Sequence, residues 1–418
     1  MSRRWWRISL AAGSLALVCC APAHAQEWTR FRGPNGSGIS KATTVPVQFT
    51  PADYNWKVKL PGIGHSSPVL WGKKLFLASA EQETGTRHLH CLDAATGKIA
   101  WTYSQPYPMY GLHMYNNAAS GSPAVDGERV YFIWGTPDAF KVHALDHSGK
   151  PLWTRDLGRY KAQHGAGSSP ILVGDIVIVA KEPEAENGLL VGLDAKTGEV
   201  RWQYERFSKD APYATPVVYR PEGGPAEVIF TNGAHGMTSL NPANGKLNWE
   251  LRDLYRARNV SSPIVLENGL ILAGSGNGGG DKQTFAVKPG SGAGKTAPQI
   301  AYEVKRGIAY VPTPIAIGNR VFIWGDAGIV HCINADTGET VWMERVGGNF
   351  FGSPVCVNGK LYAINAQGEV VVIAASDELQ VLGRSELGEA SHSTPAVADG
   401  VMYLRTESHL ISVGGRKK

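Results

Sequence analysis

An all-β fold, an eight-bladed β-propeller of four-stranded antiparallel blades closed by an N-terminal strand, is what this 418-residue sequence predicts. Two internal repeats carry the prediction. The first is "LDAATGKIAW" ending at Trp101, followed by "LDHSGKPLW" at Trp153, "LDAKTGEVRW" at Trp202, "LNPANGKLNW" at Trp249 and "INADTGETVW" at Trp342; Trp56 in "NWKVKL" matches only the closing strand. The second is a Ser/Thr-Pro step followed by aliphatics, at Pro68, Pro123, Pro170, Pro216, Pro263, Pro314, Pro354 and Pro395. Eight such steps at a mean spacing of about 47 residues fall in the range of propeller blades.

Length and composition agree. The chain exceeds the limit of about 250–300 residues at which one core stops growing, yet no linker divides it, and a ring of small sheets resolves that tension. Fifty glycines and twenty-five prolines punctuate short runs of Val, Ile, Leu, Phe and Tyr, which reads as many short strands and tight turns.

Within one unit, a strand after the Ser/Thr-Pro step leads to a second such as "RVYFIW" (129–134), a third such as "KVHALD" (141–146), and a fourth bearing the Trp. Asp126-Gly127, Asn268-Gly269, Asn358-Gly359 and Asp399-Gly400 offer the positive φ of a two-residue hairpin between the first two strands. The Asp of each "LDA" is placed to bond the amides of the following Thr-Gly turn. One Trp per unit at a fixed strand position predicts burial between neighbouring blades. Trp56, Trp101, Trp153, Trp202, Trp249 and Trp342 are therefore read as structural. Tyr302 stands where unit five lacks its Trp, and unit seven has no aromatic near Leu379, so these two blades are expected to be softer. The last unit, 393–413, runs out after three strands; residues 56–60 supply the missing fourth and lock the ring.

Arg3, Arg4 and Arg7 precede an apolar run over 8–18 and then Ala23-His24-Ala25, the pattern of a secretory signal too short to span a bilayer. Residues 1–25 are thus read as a signal peptide cleaved near Gln26, 26–53 as an N-terminal segment, 54–413 as the propeller and 414–418 as a basic tail. The mature chain is expected in the periplasm or outside the cell, as a monomer without a transmembrane segment. Loss of three arginines reduces 41 basic residues to 38 against 36 acidic ones, so charge does not point to nucleic acid. Cys91, Cys332 and Cys356 remain, an odd number without metal-ligand spacing, and are expected as buried packing positions.

The repeat "LDAxTGKxxW" resembles that of the pyrroloquinoline-quinone-like (PQQ-like) β-propeller family, over roughly residues 54–413. The resemblance implies two branches. One holds non-catalytic outer-membrane protein assembly factors of the BamB type, and implies a protein-binding or assembly scaffold for envelope proteins that needs no cofactor. The other holds quinoprotein alcohol dehydrogenases, and implies PQQ over a calcium ion. None of that branch's calcium ligands, vicinal disulfide or catalytic Asp carries over to a position in this chain, so no catalytic and no metal residue is assigned. The scaffold is the leading expectation and the quinoprotein its alternative.

Residues just before the first strand of each unit are placed to face one mouth of the central channel, because that strand is innermost. They include His65, Asn116, Asn117, His164, Tyr213, Arg258, Asn259, Tyr310, Asn349 and His392. His65 and His392 share an offset in blades that adjoin across the closure. A further alternative is a carbohydrate-binding propeller, which requires Tyr213, Tyr310 and Phe351 to be exposed at the mouth. "GSGNGGGD" (274–281) and "PGSGAGKT" (289–296) lack the following helix or the first glycine that phosphate-binding loops demand, and are read as hairpin loops.

Overall fold

A computed structural model describes residues 28–291 and 296–415. The signal sequence, its cleavage point and the last three residues of the tail lie outside the described residues. Eight antiparallel sheets follow one another in chain order. Blade 1 comprises Val69–Trp71, Lys74–Ala80, Arg87–Asp93 and Ile99–Gln105, innermost strand first, and the next six blades repeat that order. Blade 8 has only Ala396–Ala398, Val401–Arg405 and His409–Gly414 from the C-terminal end; Tyr54–Lys59 adds its fourth strand, with Trp56 opposite Ser412. The ring is closed by the N-terminal strand, as the three-stranded last unit predicted.

The Ser/Thr of the Ser/Thr-Pro step does more than mark the repeat. In every blade its amide donates to the hydroxyl of its counterpart in the following blade. Ser67 donates to Ser122, Ser122 to Ser169, Ser169 to Thr215 and Thr215 to Ser262, at 2.9, 2.9, 3.2 and 3.0 Å. Ser262 then donates to Thr313, Thr313 to Ser353 and Ser353 to Thr394, each at 2.9 Å, and Thr394 returns to Ser67 at 3.1 Å. The result is a closed circle of eight hydrogen bonds around the channel. An extended chain end leaves these amides without a ladder partner, and a buried donor must find one. A hydroxyl one blade away is the solution, and the Pro that follows holds the Ser/Thr in the extended conformation that aims the amide sideways.

A second set of contacts welds the outer faces. The indole N–H of Trp56, Trp101, Trp153, Trp202 and Trp342 donates to a carbonyl in the third-to-fourth-strand turn of the next blade: Ala94, His147, Ala195, Pro242 and Ser376, at 2.8–3.1 Å. The rings of Trp56, Trp101, Trp153 and Trp202 lie on that turn's glycine, Gly97, Gly149, Gly198 and Gly245. Gly198 has φ 71°, and a Cβ there would sit 2.5 Å from the Trp153 ring, so both conformation and space demand glycine. The Asp of the repeat fixes the same turn: Asp194 Oδ1 accepts the amides of Lys196 and Thr197 at 2.9 and 2.8 Å.

The irregular units carry other contacts where the docked indole is missing. The hydroxyl of Tyr302 reaches the Ala335 carbonyl at 2.9 Å, doing the work of the missing indole. Trp249 lies against Gly290, beside the bridge between Ser291 and Thr296, and donates instead to Glu227 of its own blade at 2.8 Å; residues 292–295 of the glycine-rich 289–296 run lie outside the described residues. Where blade 7 lacks an aromatic, Val45 and Phe49 of the N-terminal segment enter the core between blades 7 and 8. The Phe49 amide donates to Ser385 Oγ at 2.8 Å and Thr44 Oγ1 to the Gly400 carbonyl at 2.7 Å. Among the hairpins, Asn358-Gly359 and Asp399-Gly400 have positive φ at both residues, whereas neither Asp126 nor Gly127 does. Asp126 accepts the amides of Glu128 and Arg129 at its side chain and shapes the loop that way. Cys91 and Cys332 are buried opposite Trp101 and Trp342, and Cys356 is buried too; all three are free thiols.

Thr215→Ala leaves the Ser169 amide unpaired inside the ring and is expected to cost about 1–3 kcal/mol, while Thr215→Ser keeps the acceptor. Denaturant unfolding of the two variants checks this, and equal stabilities would count against the circle. Trp202→Ala empties a site between blades 3 and 4 and should cost about 3–5 kcal/mol, read as a fall in melting temperature.

Candidate functional site

The channel through the ring is blocked at one end. Residues 28–40 run across the innermost strands there. The Trp28 and Thr29 carbonyls accept the amides of Leu70 in blade 1 and Val125 in blade 2, each at 2.8 Å. The Asn35 side chain exchanges two bonds with the backbone of Val218 in blade 4, and Ile39–Ser40 adds a parallel strand beside Val355–Val357 of blade 7. Two buried arginines finish the plug. Arg30 donates to the Pro216 carbonyl at 2.7 Å, and Arg32 to those of Pro314 and Pro354 at 3.0 and 3.3 Å. No carboxylate among the described residues bonds either guanidinium, and burial pulls both down to about 9. The proline carbonyls belong to the same Ser/Thr-Pro steps that build the hydroxyl circle, so the plug reads the ring's inner edge blade by blade.

The other end opens as a cup of about 870 Å³, with Phe31 of the plug and the hydroxyl circle at its base. His65, Asn116, His164, Tyr213, Arg258, Tyr310 and His392 line its wall. Asn117 and Asn259 lie behind it. Consecutive side chains of an extended segment point to opposite sides, so Asn116 and Arg258 face the cup while their neighbours face the protein. Asn117 Oδ1 accepts the Ala119 amide at 2.8 Å, and Asn259 Nδ2 donates to the Gly274 carbonyl at 2.7 Å. Asn349 is exposed outside the wall, and its carbonyl accepts the Ala366 amide at 2.7 Å.

Rings form a continuous band around much of the wall. His65 meets His392 at 4.5 Å between centroids, His392 meets Phe351 at 4.2 Å, and Phe351 meets Tyr115 at 5.5 Å. Tyr115 meets His113 at 5.4 Å, His113 meets His164 at 4.5 Å, and His164 meets Tyr213 at 5.6 Å, with the Arg258 guanidinium 5.5 Å above the Tyr213 ring. Burial pushes the His65 imidazole down to about 3, helped by His392 and Arg405; burial followed by Arg258 and His113 takes His164 down to about 4. His392 is lowered by burial as well. These three imidazoles are neutral at pH 7.

The remaining wall is polar and charged in pairs. Arg258 forms an ion pair with Glu184. Lys282 meets Asp326 at 2.7 Å, and Asp326 also accepts the amides of Tyr310 and Val311 at 2.8 Å. The glycine-rich 274–281 segment forms a hairpin between Ile271–Asn277 and Gly280–Lys288, tied to Arg258 through the Gly276 amide at 2.9 Å; Asn277 and Gly278 reach the cup. Reading the residues before each first strand missed Phe31 of the plug, Lys282 of the strand Gly280–Lys288, and His113, Tyr115, Gln163 and Asp326 of loops between or within blades. The offset rule had no access to how far those loops fold over the mouth.

This donor set does not suit a calcium-held quinone. Glu184 and Asp326 are already occupied by cations or amides, and no three His, Cys, Asp or Glu side chains converge among the described residues. The neighbouring rings of the band are tilted 38–83° to one another, so they do not form the parallel walls of a slot for a flat polycycle.

Ring, docked tryptophans and closing strand define an eight-bladed propeller of the Trp-docked, PQQ-like class. Residues 44–211, 114–342 and 303–413 match the PQQ_2 family model, described as outer membrane protein assembly factor BamB, and the chain belongs to that family. It is 24% identical to the outer membrane protein assembly factor BamB of Yersinia pestis over 88% of this chain and 90% of that one. The crystal structure of BamB from Moraxella catarrhalis superposes with a TM-score of 0.58 at 16% identity, covering 85% of this chain and 97% of that one. Quinohemoprotein alcohol dehydrogenase from Comamonas testosteroni gives 0.63 at 14% identity, covering 95% and 82%. The two structures share the propeller fold with this chain.

Buried neutral imidazoles make stability pH-dependent. His65, His90 and His143 sit near 3 in the folded protein, chiefly through burial, against about 6.5 unfolded. Between those values the unfolded chain binds more protons, so stability falls as pH drops below about 6.5. The unfolding free energy should decline between pH 7 and pH 5, before most carboxylates titrate, by on the order of 1–2 kcal/mol per histidine, read as a falling melting temperature. A flat profile over that range would contradict the buried neutral assignment.

Proposed function

We propose that the mature protein works in the cell envelope as a non-catalytic scaffold that binds other envelope proteins during outer-membrane protein assembly. The observation that carries the reading is the match to the BamB family along the whole ring, from residue 44 to residue 413. The rim supports it. Residues 106–120, between blades 1 and 2, hold Met109, Met114 and Tyr115 at 56%, 82% and 54% exposure. Large apolar side chains clustered in water mark a contact surface. The loop's base is fixed: Tyr110 donates to the Gly135 carbonyl at 2.9 Å, and the Ala119 carbonyl accepts the amides of His65 and Ser66 at 3.1 and 2.9 Å. A fixed base presents those side chains with little ordering left to do on binding.

The leader over 1–25, with cleavage near Gln26, delivers a monomer to the periplasm in this reading. No described helix is long and apolar enough to cross a membrane. A quinoprotein reading rests on the shared propeller, and the engagement of Glu184 with Arg258 and of Asp326 with Lys282 weighs against it.

A photo-crosslinking residue in place of Met114, in the native envelope, tests the scaffold. The expected result is a crosslink to outer-membrane assembly proteins that disappears in a Met109→Asp version of the same protein while the melting temperature holds. Unaltered outer-membrane protein levels in cells lacking this chain, with no crosslinked partner, would overturn the reading.

A further inference from the structure

The cup is built for a ligand in its own right, and we propose that it is a binding site for a short, uncharged glycan. Its volume of about 870 Å³ falls in the range of small-molecule sites and is open at one end only, because Phe31 and the plug close the other. Three features select the ligand class.

The band of rings presents separate faces, tilted against each other, rather than one flat slot. Sugar rings have apolar C–H faces that cover one aromatic face each, and successive sugars turn relative to one another. Tyr213 and Phe351 are half-buried, ring faces held in place by their neighbours: Tyr213 between His164 and Arg258, Phe351 between His392 and Tyr115. Fixed aromatics of this kind give contact area at small entropic cost.

The polar groups suit hydroxyls. A neutral imidazole donates at one nitrogen and accepts at the other; with Nδ1 of His65 and His392 buried, these two have only Nε2 for a ligand hydroxyl, and His164 adds its ring to the wall. Asn116, Gln163 and Asn277 add carboxamides at the wall.

Charge is balanced. Lys209, Arg256, Arg258 and Lys282 at the wall face Asp210, Asp281 and Asp326, with Glu184 on Arg258. An anionic or cationic ligand gains no net attraction from such a wall, whereas the two ion pairs, Arg258 with Glu184 and Lys282 with Asp326, hold charged groups in place to hydrogen-bond neutral vicinal hydroxyls.

The test is calorimetric titration of the full mature protein with cello-, malto-, xylo- and chito-oligosaccharides of two to six units. At least one series should bind with a Kd below about 1 mM. Tyr213→Ala and Phe351→Ala should each weaken it at least about tenfold, as loss of a stacking face of roughly 1.4 kcal/mol requires, while Tyr213→Phe stays within about threefold. Trp202→Ala, outside the cup, should lower the melting temperature and leave Kd unchanged, which separates a lost site from a loosened fold. Absence of binding by every series at about 10 mM sugar with folded protein would overturn the proposal, as would binding that ignores both alanine variants. Neither result touches the partner crosslink at Met114, so the two readings fail separately.

Discussion

The structure depends on a circle of eight amide-to-hydroxyl hydrogen bonds, each blade's Ser or Thr resting on the next. A propeller's innermost strands are short, here two or three residues, and contribute few ladder bonds. Their starting amides are buried, and an unpaired buried amide is costly. Placing the acceptor on the neighbouring blade turns that cost into a constraint on blade spacing. A circle of this kind closes only when all units are present, so the N-terminal strand that completes blade 8 and the hydroxyl circle enforce one another.

The N-terminal segment serves the ring three times over. Residues 28–40 seal one mouth through Arg30 and Arg32, Val45 and Phe49 fill the seam that blade 7 leaves without an aromatic, and Tyr54–Lys59 becomes the last strand. The segment is thus part of the propeller's energetics as well as its boundary. Sealing one mouth also decides the character of the other, because a through-channel becomes a cup with a floor. Segments from around the ring fold over that open end, giving the wall its aromatic band and its two ion pairs.

Much of the fold was legible because repeats translate into geometry without knowledge of the partner strands. The Trp and Ser/Thr-Pro periodicities yielded blade number, strand order and the split last blade. The Thr-Gly turn and the Asp that caps it were also on view, since both act within a few residues in sequence. Compensation was not legible: Tyr302 could be suspected as a stand-in, but Val45 and Phe49 lie more than three hundred residues from the seam they fill. The site was legible by half. Offset from the Ser/Thr-Pro step located wall positions, yet it could not tell Asn116 from Asn117 or Arg258 from Asn259, because which side chain of a pair faces the cup depends on local twist. Phe31 and Asp326 were invisible to that rule, arriving from a plug and from a hairpin turn of blade 6.

Scaffold and ligand cup meet in one loop, residues 106–120, which turns Met109 and Met114 to water and lends His113, Tyr115 and Asn116 to the wall. Both rely on a ring that does not open. Amide hydrogen exchange at Ser67, Ser122, Ser169, Thr215, Ser262, Thr313, Ser353 and Thr394 measures that directly. The account predicts that all eight exchange together, at the free energy of global unfolding, Thr394, whose amide crosses from blade 8 to Ser67 of blade 1, included. Fast exchange at Thr394, with the other seven still protected, would mean that the circle is not closed and that the ring opens at its seam.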